Sequence, residues 1–525
     1  MSQLEVDLLD ASRELQRRLE ASTSAEHRKR RGQFFTPAPI CRFMAKLLSF
    51  PAKSFRLLDP GAGVGALTAA VCEELCRLDS PRHFEAHLFE NDPQTVELLE
   101  RNMERCRLAV EAAGHEMAYF VHATDFIAEA GEDFDKSRRL FREGDALGHF
   151  DGIIMNPPYF KIAKNSAHAK LMAAVVHGQP NIYALFLALA AHRLRPGGEL
   201  VAITPRSFCN GLYFRDFRKW FLRRMSLEHL HLFESRSETF QGEDVLQESV
   251  ITVSRRCDNQ SDTVKITSSS GTDTHLAPHQ MVPVARIIES PASDCLIRIP
   301  TNKKDVETID LIESLPMRFA ETGLRISTGP VVLFRAKEFL LEDPHGRASV
   351  PLLMPHNVKP FEVAWPIRKQ RKPCAFQTCP ASQRLLLPAR NYVLVKRFSA
   401  KEERRRLTAG CFVAKRQQNG FVAVENHVNY IYHERRELSE NETFGVAALL
   451  NSTLFDRYFR LISGSTQVNA TELRTLKFPG LDMVETLGKR VLQSWPLGHL
   501  ALEEIVLETI ASAVASPTIF AESLN

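Results

Sequence analysis

Short apolar runs alternate with longer segments of helical periodicity through the first half of the chain. We predict strands where apolar residues run together and helices where they recur at every third or fourth position. The predicted strands are 55–59, 87–90, 117–121, 150–155, 199–204 and 250–253, and the predicted helices are 66–78, 93–107 and 181–194. Strands that alternate with helices are typical of a parallel, doubly wound sheet. The first half is therefore predicted to be an α/β, Rossmann-like domain.

The alternation ends near residue 256, and a different pattern follows. Residues 257–280 are rich in Ser, Thr and Asp, which predicts a linker or hairpin. Residues 300–480 contain short mixed elements with many prolines, and 483–514 has helical periodicity. We therefore predict two domains, 1–290 and 291–525, of which the second is an α+β domain with C-terminal helices.

The composition of the chain excludes some classes of protein but does not identify the function. A chain of 525 residues is too long for one ordinary core, and a net charge of +4 neither requires nor excludes a nucleic-acid partner. The ten cysteines include no CxxC pair, so we predict no metal site and a reducing cytoplasm as the location. The N-terminus is acidic and amphipathic, unlike a signal peptide, and no apolar run reaches the ~20 residues of a membrane helix.

A glycine-rich segment, DPGAGVG, lies between the first predicted strand and its helix. Glycines let a ligand approach the backbone closely, although a nicotinamide enzyme or a structural turn could use the same loop. Glu90 ends the next strand, where a carboxylate can accept both ribose hydroxyls. Asp125 and Phe126 follow the third strand and could hold an adenine amino group and ring, although Asp125 could also cap a helix. The predicted nucleoside-cofactor residues of the loop are Asp59, Pro60, Gly61, Ala62 and Gly63.

The tetrapeptide Asn156-Pro157-Pro158-Tyr159 follows the apolar strand FDGIIM directly. An exocyclic amine on an aromatic base is a poor nucleophile, because its lone pair is delocalised into the ring. The Asn156 side-chain oxygen and the Pro157 carbonyl could hold its hydrogens and direct the lone pair at a sulfonium methyl group. Tyr159 could stack on the base. The alternative is a proline-rich turn.

These motifs, taken in order with GQFFTP at 32–37, resemble the γ-class DNA adenine-N6 methyltransferases of type II restriction–modification systems over residues 28–256. The resemblance implies S-adenosylmethionine as cofactor, with Thr36 beside its methionine part and Phe186 in its pocket. Asn156 and Pro158 are also expected there. It further implies that Phe240 and Tyr159 sandwich an adenine flipped out of the duplex, although Phe240 could equally be a core residue. Asp59 stands where the family often has Glu, which keeps the carboxylate.

The second domain contains a stretch between residues 368 and 416 in which basic residues greatly outnumber acidic ones. Its acidic residues are Glu402 and Glu403, and several aromatic residues are interleaved. Such a stretch suits DNA phosphates, although a solvated face is the alternative. The polar segment 464–469 is a candidate for phosphate or base contacts, and 327–330 and Arg335 are candidates without a role. The predicted DNA-binding residues are Arg368, Lys369, Arg371, Lys372, Lys396, Arg397, Arg404 and Arg405.

The sequence predicts a bacterial or archaeal cytoplasmic enzyme that methylates adenine N6 in duplex DNA, with a separately encoded restriction endonuclease as a conceivable partner. Two alternatives stay open: an RNA or protein-glutamine N-methyltransferase with the same NPPY chemistry, and a non-catalytic DNA-binding subunit. A C5-cytosine methyltransferase needs a Pro-Cys nucleophile and an ENV motif. Cys374 and the ENHV segment at 425–428 lie far outside the predicted sheet, so we interpret both as coincidence.

Overall fold

The chain divides into two compact units, residues 1–302 and 303–525. The computed structural model describes residues 7–23, 35–50, 53–131, 134, 147–233, 248–257, 259–269, 279–290, 293–343, 348–367, 372–399, 403–416, 420–463 and 467–515. Among the described residues, no helix combines the length and apolar character needed to span a bilayer.

A nine-stranded sheet forms the centre of the N-terminal unit, in the order β3-β2-β1-β4-β5-β7-β6-β8-β9. The strands β1 to β5 run parallel to their neighbours within this set, whereas β7 is antiparallel to both β5 and β6. The strands are β1 (Ser54–Pro60), β2 (His83–Phe89), β3 (Glu116–His122), β4 (Phe150–Met155), β5 (Leu194–Pro205), β6 (Met225–Phe233), β7 (Ser249–Arg256), β8 (Thr263–Ser269) and β9 (His279–Pro283).

Helices cover this sheet. Apolar side chains of α2, α3 and α4 share one core with β1 and β2, and α7 packs against β5. The helices are α1 (Leu8–Ser22), α2 (Ala38–Lys46), α3 (Ala66–Leu75), α4 (Pro93–Ala112), α5 (Phe126–Ala130), α6 (Ala167–Leu171), α7 (Ile182–Arg193), α8 (Arg215–Leu222) and α9 (Val284–Ile287). The predicted fold class, a doubly wound α/β sheet, is confirmed.

The hairpin alternative predicted for 257–280 agrees with the structure, because β8 pairs antiparallel with β9. Beyond that prediction, β8 is also a strand of the large sheet, parallel to β6. Its polar residues Thr267, Ser268 and Ser269 are buried rather than exposed. Thr267 Oγ1 lies 2.8 Å from His231 Nδ1, and Ser269 Oγ lies 3.0 Å from His231 Nε2. Hydrogen bonds to histidines of β6 therefore allow a Ser/Thr-rich segment to occupy the sheet interior.

The C-terminal unit is a mixed α/β structure of short strands and helices. Its two larger sheets have the orders β11-β21-β18-β19 and β12-β16-β13-β20-β17. The strands are β10 (Met317–Arg318), β11 (Leu324–Thr328), β12 (Leu340–Leu341), β13 (Ser349–Leu353), β14 (Val358–Lys359), β15 (Glu362–Val363), β16 (Ala375–Gln377), β17 (Leu386–Pro388), β18 (Tyr392–Lys396), β19 (Ala409–Phe412), β20 (Phe421–Val424), β21 (Val428–His433) and β22 (Lys477–Phe478).

Helices make up the rest of the regular structure described for this unit. The segment predicted as helical at 483–514 forms two helices separated by residues 494–498, which contain Pro496 and Gly498. The helices are α10 (Lys303–Glu313), α11 (Glu440–Asn451), α12 (Thr453–Ile462), α13 (Ala470–Arg474), α14 (Leu481–Gln493) and α15 (His499–Ala515).

Candidate functional site

The strand order places a crevice at the carboxyl ends of β1 and β4. The chain proceeds from β1 to β2 and β3 on one side, and continues through β4 and β5 on the other. Ligands of open α/β sheets bind at such a switch point. A cavity of about 340 Å³ lies here. The predicted cofactor residues that line it are Thr36, Gly61, Ala62, Gly63, Glu90, Asp125, Phe126, Asn156, Pro158 and Phe186.

The glycine loop reaches the cavity because its backbone adopts conformations that other residues avoid. Gly61 and Gly63 have φ values of 78° and 57°, in the left-handed region. The Gly61 and Ala62 N–H groups both donate to the Phe89 carbonyl at 2.9 Å, which ties the loop to the end of β2. A Cβ at Gly61 would lie 3.6 Å from Phe186 Cε1, so the loop already lies close to an aromatic wall of the cavity.

Glu90 is held at the cavity edge by three main-chain donors. Its Oε2 accepts the Gly63 N–H at 3.1 Å, and its Oε1 accepts the Asn91 and Asp92 N–H groups at 2.9 Å each. Burial raises the pKa of Glu90 above its usual value, although these hydrogen bonds oppose the effect. The carboxylate is thus fixed in place with acceptor capacity left for a ligand hydroxyl.

Asp59 and Pro60 do not line the cavity, although the sequence groups them with the loop. Asp59 is only 1% exposed, and its Oδ2 accepts the Thr68 hydroxyl at 2.7 Å. Its Oδ1 has no hydrogen-bond partner among the described residues. Burial raises the pKa of Asp59 to about 7. Asp59 therefore lies behind the loop, where it tethers the first turn of α3.

Asp125 caps α5 and also lines the cavity. Its Oδ1 accepts the Ala128 N–H at 2.8 Å, and His168 Nε2 lies 3.2 Å from the same oxygen. Burial alone would raise the pKa of Asp125, but the hydrogen bonds from His168 and Ala128 hold it below its usual value. The same contact raises the pKa of His168. The cavity therefore contains a carboxylate that stays ionised.

Asn156 directly follows the end of β4. Its side-chain amide is oriented by contacts with Thr36 and Tyr159. Asn156 Nδ2 donates to Thr36 Oγ1 at 2.9 Å. The Tyr159 hydroxyl lies within hydrogen-bonding distance of Asn156 Oδ1 and is 2.8 Å from the Ile203 carbonyl oxygen. Burial raises the pKa of Tyr159, so the phenol stays protonated. The Tyr159 ring is edge-on to Tyr183, with centroids 6.0 Å apart. Pro157 is buried beside them.

Aromatic rings form one wall of the cavity. The Phe126 ring lies 5.3 Å from that of Phe186 and 5.1 Å from that of Phe89. Several lining residues were not predicted from the sequence, because they lie beside the predicted residues, as Phe35 and Phe160 do, or on segments without a motif. The missed residues include Gln16 of α1, Phe35, Asn91, Phe160 and His168 of α6. The turn residue Asn91, directly after Glu90, could have been found from its place after a strand.

The other residues singled out in the sequence are Phe240, the predicted DNA-binding residues and the ENHV segment, and they lie in different parts of the chain. Phe240, Arg368, Lys369 and Arg371 lie outside the described residues. Lys372 and Arg404 are exposed, and Lys396 is half-buried. Arg397 and Arg405 are half-buried and donate to the main-chain carbonyls of Asn426 and Asn451 in their own unit. The ENHV segment forms the turn between β20 and β21, in the C-terminal unit, outside the nine-stranded sheet.

Comparison with known proteins identifies the family. Residues 68–240 match the Eco57I restriction-modification methylase family. The chain is 38% identical over 484 residues to the type II methyltransferase M.BsuBI of Bacillus subtilis, covering 91% of this chain and 93% of the relative. It is 34% identical to the type II methyltransferase M.PstI of Providencia stuartii, over 88% of this chain and 90% of the relative.

A solved structure shares the fold. The chain superimposes with a TM-score of 0.52 on the type IIL restriction-modification enzyme MmeI, at 12% identity and covering 89% of this chain and 71% of that one. The identities to M.BsuBI and M.PstI extend through both compact units of the chain. The protein therefore belongs to the type II methyltransferases of restriction–modification systems, and S-adenosylmethionine is its expected cofactor.

Proposed function

We propose that the protein transfers a methyl group from S-adenosylmethionine to the N6 amino group of adenine within a specific duplex DNA sequence. The observation that carries this proposal is the position of Asn156. Its amide lines the cofactor cavity at the end of β4 and is oriented by Thr36. An amide oxygen and a following Pro-Pro carbonyl suit an aromatic amine, whose two hydrogens need acceptors.

The cavity residues fit the cofactor. Glu90 offers a fixed carboxylate for ribose hydroxyls, and Asp125 offers one for an adenine amino group. Phe126 and Phe186 provide apolar faces for a purine ring. A volume of about 340 Å³ lies in the range of small-molecule sites. When bound, S-adenosylmethionine supplies a methyl group activated by a positively charged sulfur.

The catalytic role proposed for Asn156 and Pro157 is to hold the target amine. Asn156 Oδ1 and the Pro157 carbonyl would each accept one amine hydrogen, which localises the nitrogen lone pair and aims it at the cavity. In the structure the Tyr159 hydroxyl lies at Asn156 Oδ1. The incoming amine would therefore replace the Tyr159 hydroxyl as donor to that oxygen, and the Tyr159 hydroxyl would keep the Ile203 carbonyl as its acceptor.

The proposal also includes flipping of the target base and separate functions for the two domains. The target adenine would leave the duplex, at a cost of a few kcal/mol, and stack between Tyr159 and Phe240. Residues 1–290 would form the catalytic domain, and 291–525 the target-recognition domain. MmeI, which shares the fold, was solved in complex with DNA, and this supports DNA as the substrate. The exposed side chains of Lys372 and Arg404 suit phosphate contacts.

The test is direct product analysis. The purified protein is incubated with unmethylated duplex DNA and S-adenosylmethionine, and the digested nucleosides are examined by mass spectrometry. We expect N6-methyladenine from the wild type, and at least a ~100-fold lower rate from Asn156→Ala with cofactor affinity nearly unchanged. Wild-type activity in Asn156→Ala would refute the mechanism. Methyl transfer to RNA or protein glutamine instead of DNA would refute the proposed substrate.

The chain would act as the modification enzyme of a restriction–modification system. A separately encoded endonuclease that cuts the same sequence is the partner this role requires. Sequencing of DNA methylated by the protein gives the recognition site. A neighbouring nuclease whose cleavage is blocked by that methylation would support the pairing.

A further inference from the structure

Two polar segments separated by more than a hundred residues meet in the C-terminal unit. They are 327–330, at the end of β11, and 467–469, the described part of the second segment. The Thr328 hydroxyl donates to Asn429 Oδ1 at 3.0 Å, and Asn429 Nδ2 donates to the Val468 carbonyl at 2.8 Å. Asn429 is fully buried. Its side chain therefore clamps the two segments together.

Arg397 ties two more segments to the same place. Its main-chain N–H donates to the His427 carbonyl at 3.0 Å, and its own carbonyl accepts the Val468 N–H at 2.7 Å. The Arg397 guanidinium donates to the Asn426 carbonyl at 3.1 Å and to Gln467 Oε1 at 3.2 Å. The end of β18, the turn between β20 and β21, and the 467–469 segment thus form one rigid platform.

This platform presents an aromatic pair to solvent. Phe398 is 44% exposed, and its ring is edge-on to the His427 imidazole, with centroids 4.8 Å apart. The His427 side chain is 46% exposed, and its Nδ1 lies 2.6 Å from the buried Glu425 carboxylate. Folding gains little from a phenylalanine left this exposed. A rigid surface that combines an aromatic ring with hydrogen-bonding groups is, however, typical of binding sites.

We infer that Arg397, Phe398, His427 and Gln467, called here the Phe398 cluster, form a base-contacting surface for duplex DNA. The inference rests on the proposed function, because that function requires sequence to be read outside the cofactor cavity. Gln and His side chains can hydrogen-bond base edges, and a phenyl ring can contact a thymine methyl group or wedge between base steps. The positive charge of Lys396 and Arg397 favours approach to the phosphate backbone.

The cluster complements the exposed basic residues of the same unit. Lysine and arginine contacts to phosphates contribute affinity for any sequence, whereas contacts to base edges discriminate between sequences. Phe398 and Gln467 carry no charge, so their loss should weaken specific binding and leave nonspecific binding intact. This difference separates a base-contacting surface from a phosphate-binding one.

The test measures DNA affinity by fluorescence anisotropy, with a duplex that the wild type methylates and an unrelated duplex of equal length. We expect Phe398→Ala and His427→Ala each to weaken binding to the methylatable duplex by about tenfold. Binding to the unrelated duplex should change by less than about twofold, and the salt dependence of Phe398→Ala should match the wild type. S-adenosylmethionine binding should not change in either variant.

Two further variants guard against misfolding as the cause. Phe421→Ala removes another exposed phenylalanine, at the opposite end of β20 from Glu425, and should bind as the wild type does. Gln467→Met removes the amide without adding a charge that would repel phosphates, and should also weaken specific binding.

The outcomes separate this inference from the proposed function. Wild-type affinity of Phe398→Ala and His427→Ala for the methylatable duplex would overturn the inference, as would equal losses on both duplexes. A wild-type protein that methylates no duplex DNA would overturn the proposed function and this inference together.

Discussion

At the scale of single residues, the Asn156 amide is held by groups from distant parts of the chain. Thr36 precedes the first strand, and Ile203 lies on β5, yet both contribute to the hydrogen bonds around Asn156 and Tyr159. The Thr36 hydroxyl accepts a hydrogen of Asn156 Nδ2, which leaves Asn156 Oδ1 on the side of Tyr159. Thr36 is therefore a positioning residue for the proposed chemistry.

Thr36→Val tests this role. Valine has nearly the same shape but cannot accept the Asn156 Nδ2 hydrogen, so the amide loses its fixed orientation. We expect the methyl-transfer rate to fall about five- to tenfold, as one lost hydrogen bond predicts, with cofactor affinity changed much less. Thr36→Ser keeps the hydroxyl and should retain the rate. Single-turnover kinetics measure the effect, and equal rates for Val and Ser variants would contradict it.

We expect the contact of His168 with Asp125 to affect the affinity for the cofactor. Its imidazole lies 3.2 Å from Asp125 Oδ1, and this contact raises the pKa of His168. His168→Ala should weaken S-adenosylmethionine binding several-fold, and His168→Gln, which keeps a donor, should restore part of it. Since the ion pair is lost as pH rises through the His168 pKa, wild-type affinity should fall there. Isothermal titration calorimetry over pH 6–9 would show a flat profile for His168→Ala.

At the scale of elements, α11 and α14 approach each other closely because glycines face the partner helix. A Cβ at Gly488 would overlap the Asn441 carbonyl oxygen, and one at Gly445 would overlap the Val484 carbonyl oxygen. Backbone atoms cannot move aside as a flexible side chain can. The packing of these helices therefore depends on the absence of side chains at both positions.

Gly488→Ala should separate these two helices. We expect a lower free energy of unfolding, by about 2 kcal/mol or more, because overpacking against backbone forces the helices apart. Gly480→Ala is the matched control, since a Cβ there meets nothing within 4 Å. Thermal unfolding followed by circular dichroism should show a lower midpoint for Gly488→Ala alone. Equal midpoints for the two variants would contradict the argument.

At the scale of the whole molecule, the large sheet contains buried histidines that affect stability. His231 is fully buried and His229 nearly so, and both bind hydroxyls of β8. Burial lowers the pKa of His229 to about 4 and that of His231 to about 3. The folded protein therefore keeps both imidazoles neutral at pH values where the unfolded chain takes up protons.

The pH dependence of unfolding follows from this difference. Below the usual histidine pKa of ~6.5, the unfolded state gains protons that the folded state cannot accept, so stability falls towards about pH 4. Each histidine contributes at most ~1.4 kcal/mol per pH unit. Asp59 and Glu472, whose pKa values burial raises to about 7, act with opposite sign. Urea unfolding at pH 7, 6 and 5 should therefore show that the free energy of unfolding of the wild type, relative to that of His231→Gln, decreases as pH falls.

The sequence by itself determined the class of the N-terminal fold and the family. Helical and strand periodicities, glycine turns and the Pro-Pro segment are local signals, which the chain carries wherever it folds. They located the strands before Glu90 and Asn156. Because a parallel sheet brings strand ends to one edge, the motifs predicted a shared site, and most of the named cofactor residues line one cavity.

The tertiary structure alone decided the contacts that depend on partners far along the chain. The Ser/Thr-rich β8 joined the sheet because the buried histidines of β6 satisfy its hydroxyls. His168 lines the cavity although its helix carries no motif, whereas Asp59 lies buried behind the glycine loop. Phe398 and Gln467 became neighbours through long-range hydrogen bonds. Local periodicity carries no information on such pairings, since burial and hydrogen-bond satisfaction are settled only when distant segments pack.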